Sequence, residues 1–173
     1  MMDAPPATAQ NAFSLRRLLA ERLSLSHLPD LRRMHRNTRM MAMLGGVRSD
    51  EETDAYLQRN LAHWGEHGFG IWILRDRTDQ VVGRAGLRHV AVEGEPEVEI
   101  SFALFPEFWG RGLATEAARA CVTIGREWLG FPSLVALTLP PNLASQHVLR
   151  KAALVRECLV THAGAPHLLF RTD

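Results

Sequence analysis

Glu97-Val98-Glu99-Ile100-Ser101-Phe102-Ala103-Leu104-Phe105-Pro106-Glu107-Phe108-Trp109-Gly110-Arg111-Gly112-Leu113-Ala114-Thr115-Glu116-Ala117 is the stretch on which the reading of this sequence turns. Val98 to Leu104 reads as a strand, and Ala114 to Leu129 as the most regular helix of the chain. In that helix Ala114, Ala117, Ala118, Cys121, Val122, Gly125, Trp128 and Leu129 recur at i, i+3, i+4 and i+7. Between them lies a glycine turn, Gly110-Arg111-Gly112. A turn of this kind at a helix start lets main-chain N–H groups converge on an anion, and the helix dipole favours negative charge there. A phosphate or pyrophosphate is the natural ligand, although glycines also end strands in loops that bind nothing. Two common phosphate motifs do not fit. The turn has no Gly-Lys-Ser/Thr ending, and a GxGxxG beginning at Gly110 meets Thr115 where its last glycine belongs.

Upstream, Arg22 to Leu28 alternates apolar and polar residues and predicts a strand. Pro29 and Asp30 open a helical stretch to about Thr38. Ser49 and Glu52 form a capping-box pair. Tyr56, Leu57, Leu61 and Trp64 then follow on one helical face, and Gly68 supplies a stop. Gly70–Arg75 and Val81–Val90 predict a hairpin around a polar turn at 76–80. Downstream, Ser133–Leu139 reads as a strand, Leu143–Ala152 as a short helix, and Leu154–His162 with His167–Arg171 as two closing strands. Residues 1–14 are expected to form a flexible tail and residues 15–173 a single domain of mixed α and β structure.

The 173 residues carry a formal net charge of +1, 46% hydrophobic and 23% charged residues, as in an ordinary globular protein. That balance gives no reason to expect nucleic acid or membrane as a partner. The clusters Arg16-Arg17 and Arg32-Arg33 with Arg36 and Arg39 read as solvated helix faces. Cys121 and Cys158 are too far apart in sequence for a zinc pair and read as small buried hydrophobes. The eight histidines are read as lacking metal-ligand spacing, so no metal is expected. With no apolar run near ~20 residues and no basic and apolar leader, a cytoplasmic protein is expected.

Glu97 to Ala117 resembles the fourth strand, pyrophosphate loop and third helix of the GNAT N-acetyltransferases, especially the branch with the ribosomal-protein N-terminal acetyltransferases. Pro141-Asn142-Leu143-Ala144-Ser145 with Val148-Leu149-Arg150-Lys151 resembles a later segment of that branch. Glu21–Leu25 resembles its first strand, and Gly68–Trp72 with Gly83–Leu87 its central hairpin. The resemblance implies a mostly antiparallel mixed sheet of six to seven strands, splayed parallel strands 4 and 5, and about four helices. It implies acetyl-CoA as co-substrate. Main-chain groups at Phe102, Ala103 and Leu104 would meet the pantetheine arm. Gly110, Arg111, Gly112, Leu113, Ala114 and Thr115 would hold the pyrophosphate. Asn142 and Ser145 would meet the pantetheine or the departing thiol, though both also suit a helix start. Trp109 stands where the family often has Gln or Arg. Leu149 replaces a tyrosine acid found in relatives outside the branch, which leaves Ser145, or a water on it, as the proton donor to test.

An amine attacks a thioester when unprotonated, which is easier for an α-amine, with a pKa of about 7.7 to 8, than for lysine at about 10.4. The base expected from the resemblance is Glu99, with Glu97 on the same strand face as the other possibility. The expected acceptor is a protein or peptide N-terminal α-amine, or a small amine or amino acid. The alternative is a non-catalytic acyl-CoA-binding regulatory module of the same fold. An aminoglycoside acceptor would require an acidic groove that the sequence does not display. His162, His167 and His89 are candidate linings of the acceptor side, as is the Met40-Met41-Met43 group. The residues do not choose between a monomer and a homodimer.

Overall fold

The hairpin predicted for residues 70–90 lies at the middle of one eight-stranded sheet in a computed structural model that describes residues 11–173. In chain order the elements are β1 (Ala12–Ser14), β2 (Leu18–Arg22), α1 (Leu28–Arg36), α2 (Thr38–Met41), α3 (Asp50–His67), β3 (Ile71–Asp76), β4 (Val81–Val92) and β5 (Glu95–Leu104). There follow α4 (Leu113–Thr123), β6 (Val135–Thr138), α5 (Leu143–Lys151), β7 (Leu154–His162) and β8 (Ala165–Thr172). The strand order is β1-β2-β3-β4-β5-β6-β8-β7. Every neighbouring pair is antiparallel except β5 and β6, which are parallel and meet at the single register Glu99↔Val135. This is the mixed, splayed sheet expected, with eight strands instead of six or seven and five α-helices instead of about four.

Local chemistry accounts for the main boundaries. The Ser49 side chain accepts from the Glu52 N–H and the Glu52 carboxylate from the Ser49 N–H, so the capping box starts α3. Gly68, at φ 72°, stops it in the left-handed conformation that glycine adopts without a Cβ penalty. Asp76 Oδ1 accepts from the Thr78 and Gln80 N–H groups and so closes the β3–β4 hairpin.

Four expectations need correction. The first long strand is Leu18–Arg22, not Arg22–Leu28, because Leu18 and Ala20 are buried and pair with β3, whereas Leu25–His27 forms a 3₁₀ turn. Part of the expected tail, Ala12–Ser14, is β1 on the edge of the sheet; residues 1–10 of that tail lie outside the described residues. The helix after the glycine turn becomes π-helical over Ile124–Trp128. There Gly125 lies so close to Leu134 that an added Cβ would stand 2.6 Å from its Cδ1. The arginines of α1 are not simply solvated. Arg36 binds Asp50 at 2.6 Å and Arg32 binds Asp54 at 2.9 Å, which ties α1 to α3.

The core takes in Trp64, Phe69 and Trp72, each at most 3% exposed, together with β3–β5 and the inner face of α4. Cys121 is buried there, and burial pushes its thiol up to about 12, so it is an inert hydrophobe; Cys158 is exposed. Among the described residues no helix is long and apolar enough to cross a membrane.

Candidate active site

The site starts from the divergence of β5 and β6. The Phe105 N–H donates to Val82 O at 2.9 Å. Antiparallel alternation then turns the main-chain groups of Ala103 and Ser101 toward β4, and those of Leu104 and Phe102 toward β6. Because β6 pairs only at Glu99, the polar edge at Phe102 and Leu104 faces a gap instead of a strand. One of its groups is already engaged. Trp109 Nε1 donates to Leu104 O at 2.8 Å, a use for this tryptophan that the sequence did not suggest.

At the end of that gap lies the glycine turn. Gly110 and Gly112 have φ of 72° and 76°, and a Cβ at Gly110 would meet nothing within 4 Å. Gly112 caps α4 without a side chain. Among the described residues the N–H groups of Leu113, Ala114 and Thr115 have no acceptor, as the first turn of a helix requires when no cap serves it. The turn therefore presents open donors at the positive end of a helix. It is held from outside by Arg17, which lies between β1 and β2. Arg17 N and Nε bind the Glu116 carboxylate at 2.7 and 2.8 Å, and Arg17 Nη1 donates to Arg111 O at 2.6 Å. Reading Arg17 as solvated misses this, because its partners stand 94 and 99 residues away. Arg111 itself is exposed, with its guanidinium over the Phe108 ring.

At the other end of the gap a cavity of about 360 Å³ opens. Its lining includes Glu99 and Phe102 from β5, Asn142 and Ser145 from the start of α5, and His162 and His167 from the last hairpin. The structure thus gathers Glu99, Phe102, Asn142 and Ser145 in one place. Ala103, Leu104 and the 110–115 turn lie outside that lining. Asn142 Oδ1 accepts from the Ser145 N–H at 3.1 Å, so the helix-start reading of Asn142 is correct. Ser145 Oγ makes no hydrogen bond among the described residues. Glu99 is 6% exposed, and its Oε2 accepts from Arg88 Nε at 2.7 Å, while Oε1 has no partner among the described residues. The two glutamates of β5 part company here. Glu97 is held by Arg171 at 2.7 and 3.0 Å and does not line the cavity.

Sequence reasoning also missed the cationic wall. Arg84 and Arg88 share a face of β4 with Glu99 and Ser101 of β5, since the register pairs Arg88 with Glu99 and Gly86 with Ser101. Arg48, in the loop just before α3, and Tyr56, within that helix, complete the wall. The Tyr56 ring lies against both Arg48 and Arg84, each guanidinium carbon 5.1 Å from the ring centroid. The available signal was Arg84 and Arg88 set among small and apolar residues in a strand, where a charge needs a reason. Behind them His35 is fully buried. Its Nδ1 bonds Thr53 Oγ1 at 2.9 Å, and its Nε2 faces Arg48 Nη1 at 3.2 Å. Burial and the charges of Arg84 and Arg48 push its pKa down to about 3. His35 is therefore neutral, donating to Thr53 and accepting from Arg48. Of the methionines, Met43 lines the cavity, while Met40 and Met41 are core.

Reading the histidines as lacking metal spacing passes over His63 and His67, four apart on α3, which meet His89 of β4. His63 Nδ1 bonds Phe69 O at 2.9 Å, and its Nε2 accepts from the His89 N–H at 3.0 Å. One tautomer satisfies both bonds and leaves His63 no lone pair for a metal. His89 belongs to this aromatic cluster with Phe69 and Phe131 and does not line the cavity.

A splayed parallel pair, a donor-rich glycine turn at one end and a polar cavity at the other give the sheet one continuous open groove. Comparison with known proteins says which family this is. The family described as acetyltransferase (GNAT) domain matches residues 17–155. YkkB of Bacillus subtilis, an uncharacterized protein, is 30% identical over 116 residues, covering 66% of this chain and 67% of its own. The FsC-acetyl coenzyme A-N(2)-transacetylase of Aspergillus fumigatus is 32% identical over 101 residues, but only 40% of its length is spanned. Two solved structures share the fold. An acetyltransferase from Agrobacterium tumefaciens has a TM-score of 0.84 at 24% identity over 95% of both chains. RimL, a ribosomal L7/L12 alpha-N-protein acetyltransferase in complex with coenzyme A, has 0.75 at 18% identity, over 91% of this chain and 94% of that one. The chain belongs to the GNAT acetyltransferase family, whose members transfer acetyl groups from acetyl-CoA to amines.

Proposed function

We propose that this protein transfers the acetyl group of acetyl-CoA to the α-amine of a small molecule or of a peptide N-terminus, by direct attack of the amine on the thioester. The observation that carries the reading is the continuity of the glycine turn, the open β5 edge and the cavity along one gap. The residues fit the coenzyme. Open N–H groups at Gly110–Thr115 suit a pyrophosphate, and the uncovered edge at Phe102 and Leu104 suits the amides of a pantetheine arm. Bound there, acetyl-CoA supplies an activated acyl group. The protein's own part is to hold the amine beside it and exclude water.

In this reading Glu99 Oε1 removes the amine proton, directly or through one water, while Arg88 fixes the carboxylate from its other oxygen. A main-chain N–H of the Phe102–Leu104 edge polarises the thioester carbonyl. Ser145, whose hydroxyl is unengaged, donates to the leaving thiolate, in place of the tyrosine absent at Leu149. Three guanidiniums on the cavity wall argue against polyamine or aminoglycoside acceptors. The deciding experiment measures thiol release from acetyl-CoA across amino acids, peptides and simple amines, beside equilibrium binding of the coenzyme. Turnover with an α-amine is expected. Tight coenzyme binding with no turnover on any amine would leave the acyl-CoA-binding module instead.

A further inference from the structure

We infer that the acceptor amine carries a carboxylate, and that Arg84 and Arg48 receive it. The inference rests on the transferase reading and specifies the acceptor of that same site. Arg84 is 4% exposed, yet among the described residues its Nε has no hydrogen-bond partner, and its one side-chain hydrogen bond is a long 3.4 Å contact from Nη1 to Ser101 Oγ. Such a guanidinium is costly to bury unless an anion meets it. Among the described residues neither Arg84 nor Arg48 forms a salt bridge. The one acid on the wall, Glu99, is already taken by Arg88. Three guanidiniums thus face a cavity holding one carboxylate, and two positive charges are left over.

The surroundings fix these charges instead of neutralising them. The Tyr56 face lies against both guanidiniums, which offsets part of the charge but accepts no in-plane hydrogen bond. Arg48 is held from behind at two points by His35, whose carbonyl accepts the Arg48 N–H at 3.0 Å and whose Nε2 faces Nη1 at 3.2 Å. Each arginine also works against the other. Burial, and then the Arg84 charge, lower the Arg48 pKa. An anion between them relieves that repulsion, and the planar forks suit the two oxygens of a carboxylate. Thr138 of the cavity lining has a buried Oγ1 without a hydrogen-bond partner among the described residues, a second polar group left unsatisfied there. The volume of about 360 Å³ suits a free amino acid. A peptide could bring the same group from an acidic side chain near its N-terminus.

The test compares kcat/KM of the wild-type enzyme on amino acids, on the matching amino-acid amides, on peptides with neutral or acidic residues after the N-terminus, and on phosphoethanolamine. Removing the carboxylate as its amide should lower kcat/KM about 100-fold, mostly through KM. Preference for free amino acids supports a small-molecule source, and preference for acidic over neutral peptides supports a peptide source of the same carboxylate. Equal kcat/KM for acids and amides, or a preference for phosphoethanolamine over every carboxylate, overturns the inference. Arg48→Met and Arg84→Met should raise KM for the preferred acid about 100-fold and leave coenzyme Kd unchanged; unchanged KM in a folded variant also overturns it. Should Arg84→Met fail to fold, Arg48→Met and the wild-type comparison still decide. Failure of the transferase reading is separable, because it would show as no turnover on any amine.

Discussion

Glu99 is a single carboxylate with two possible duties, and its two oxygens separate them. Oε2 is tied to Arg88, a structural duty, and Oε1 is open to the cavity. Glu99→Gln retains an oxygen for Arg88 but has no basic oxygen for a proton. If Glu99 is the base, kcat should fall by about 100-fold or more, with coenzyme Kd unchanged. An unaltered kcat would leave Glu99 only its structural duty. His35 offers a prediction of another kind. Its folded pKa of about 3 lies below the roughly 6.5 of an unfolded histidine. The unfolded chain therefore binds the proton first as the solution is acidified. The associated stability is intact above about pH 6.5 and falls as pH drops toward 3, by up to about 1.4 kcal/mol per pH unit. Denaturant titrations between pH 7 and 5 should lose stability more steeply in the wild type than in His35→Gln. Coincident slopes in the two proteins would contradict a buried neutral His35.

At the scale of elements, the capping box, the Gly68 stop and the Asp76 turn all follow from short-range chemistry and stand where the sequence places them. The departures have long-range causes. At Gly125, inside the π turn, Leu134 packs where a Cβ would be, a contact nine residues away that helical periodicity does not register. β1 and the shifted β2 owe their place to the free edge of β3. Arg17, between those two strands, fastens the glycine turn through Glu116 and Arg111 O. Arg17→Ala should loosen that turn and weaken coenzyme binding by about tenfold, roughly 1.4 kcal/mol, while acceptor KM stays the same. Calorimetric titration with coenzyme A reads this directly. An unchanged Kd would make Arg17 a fastener of the fold alone.

For the whole molecule, the gap between β5 and β6 is a fault line through the sheet, since one register joins the two halves. A ligand along that gap should tie the halves together. Acetyl-CoA at about 100 times its Kd is expected to stabilise the protein by about 2.7 kcal/mol, raising Tm by about 5 to 10 °C. Differential scanning with and without the coenzyme measures it; a Tm that does not move would argue against coenzyme binding in this gap.

The end of the molecule proposed for the coenzyme was readable because its structure is local. A strand, two glycines and a helix start lie within Glu97–Ala117, and the open backbone donors there follow from that local order. Glu99 could be named in advance because it lies on that segment, and Asn142 and Ser145 because Pro141–Ser145 resembles a second short segment of the family. The acceptor end was not readable for the opposite reason. Arg48, Tyr56, Arg84, Arg88 and Thr138 belong to three separate elements and a loop, and none stands out alone in the sequence. Whether an arginine is solvated, paired or left buried with a spare charge depends on which neighbours the fold brings to it. Arg17, Arg88 and Arg84 are examples of the three outcomes that are not simple solvation: a clamp, a pair and an unpaired charge. The sequence by itself determined the strand, glycine turn and helix of Glu97–Ala117 and the central hairpin, because backbone conformation and periodicity are short-range properties. Only the tertiary structure decided the charge of the acceptor cavity, because electrostatic compensation is settled by contacts between distant residues.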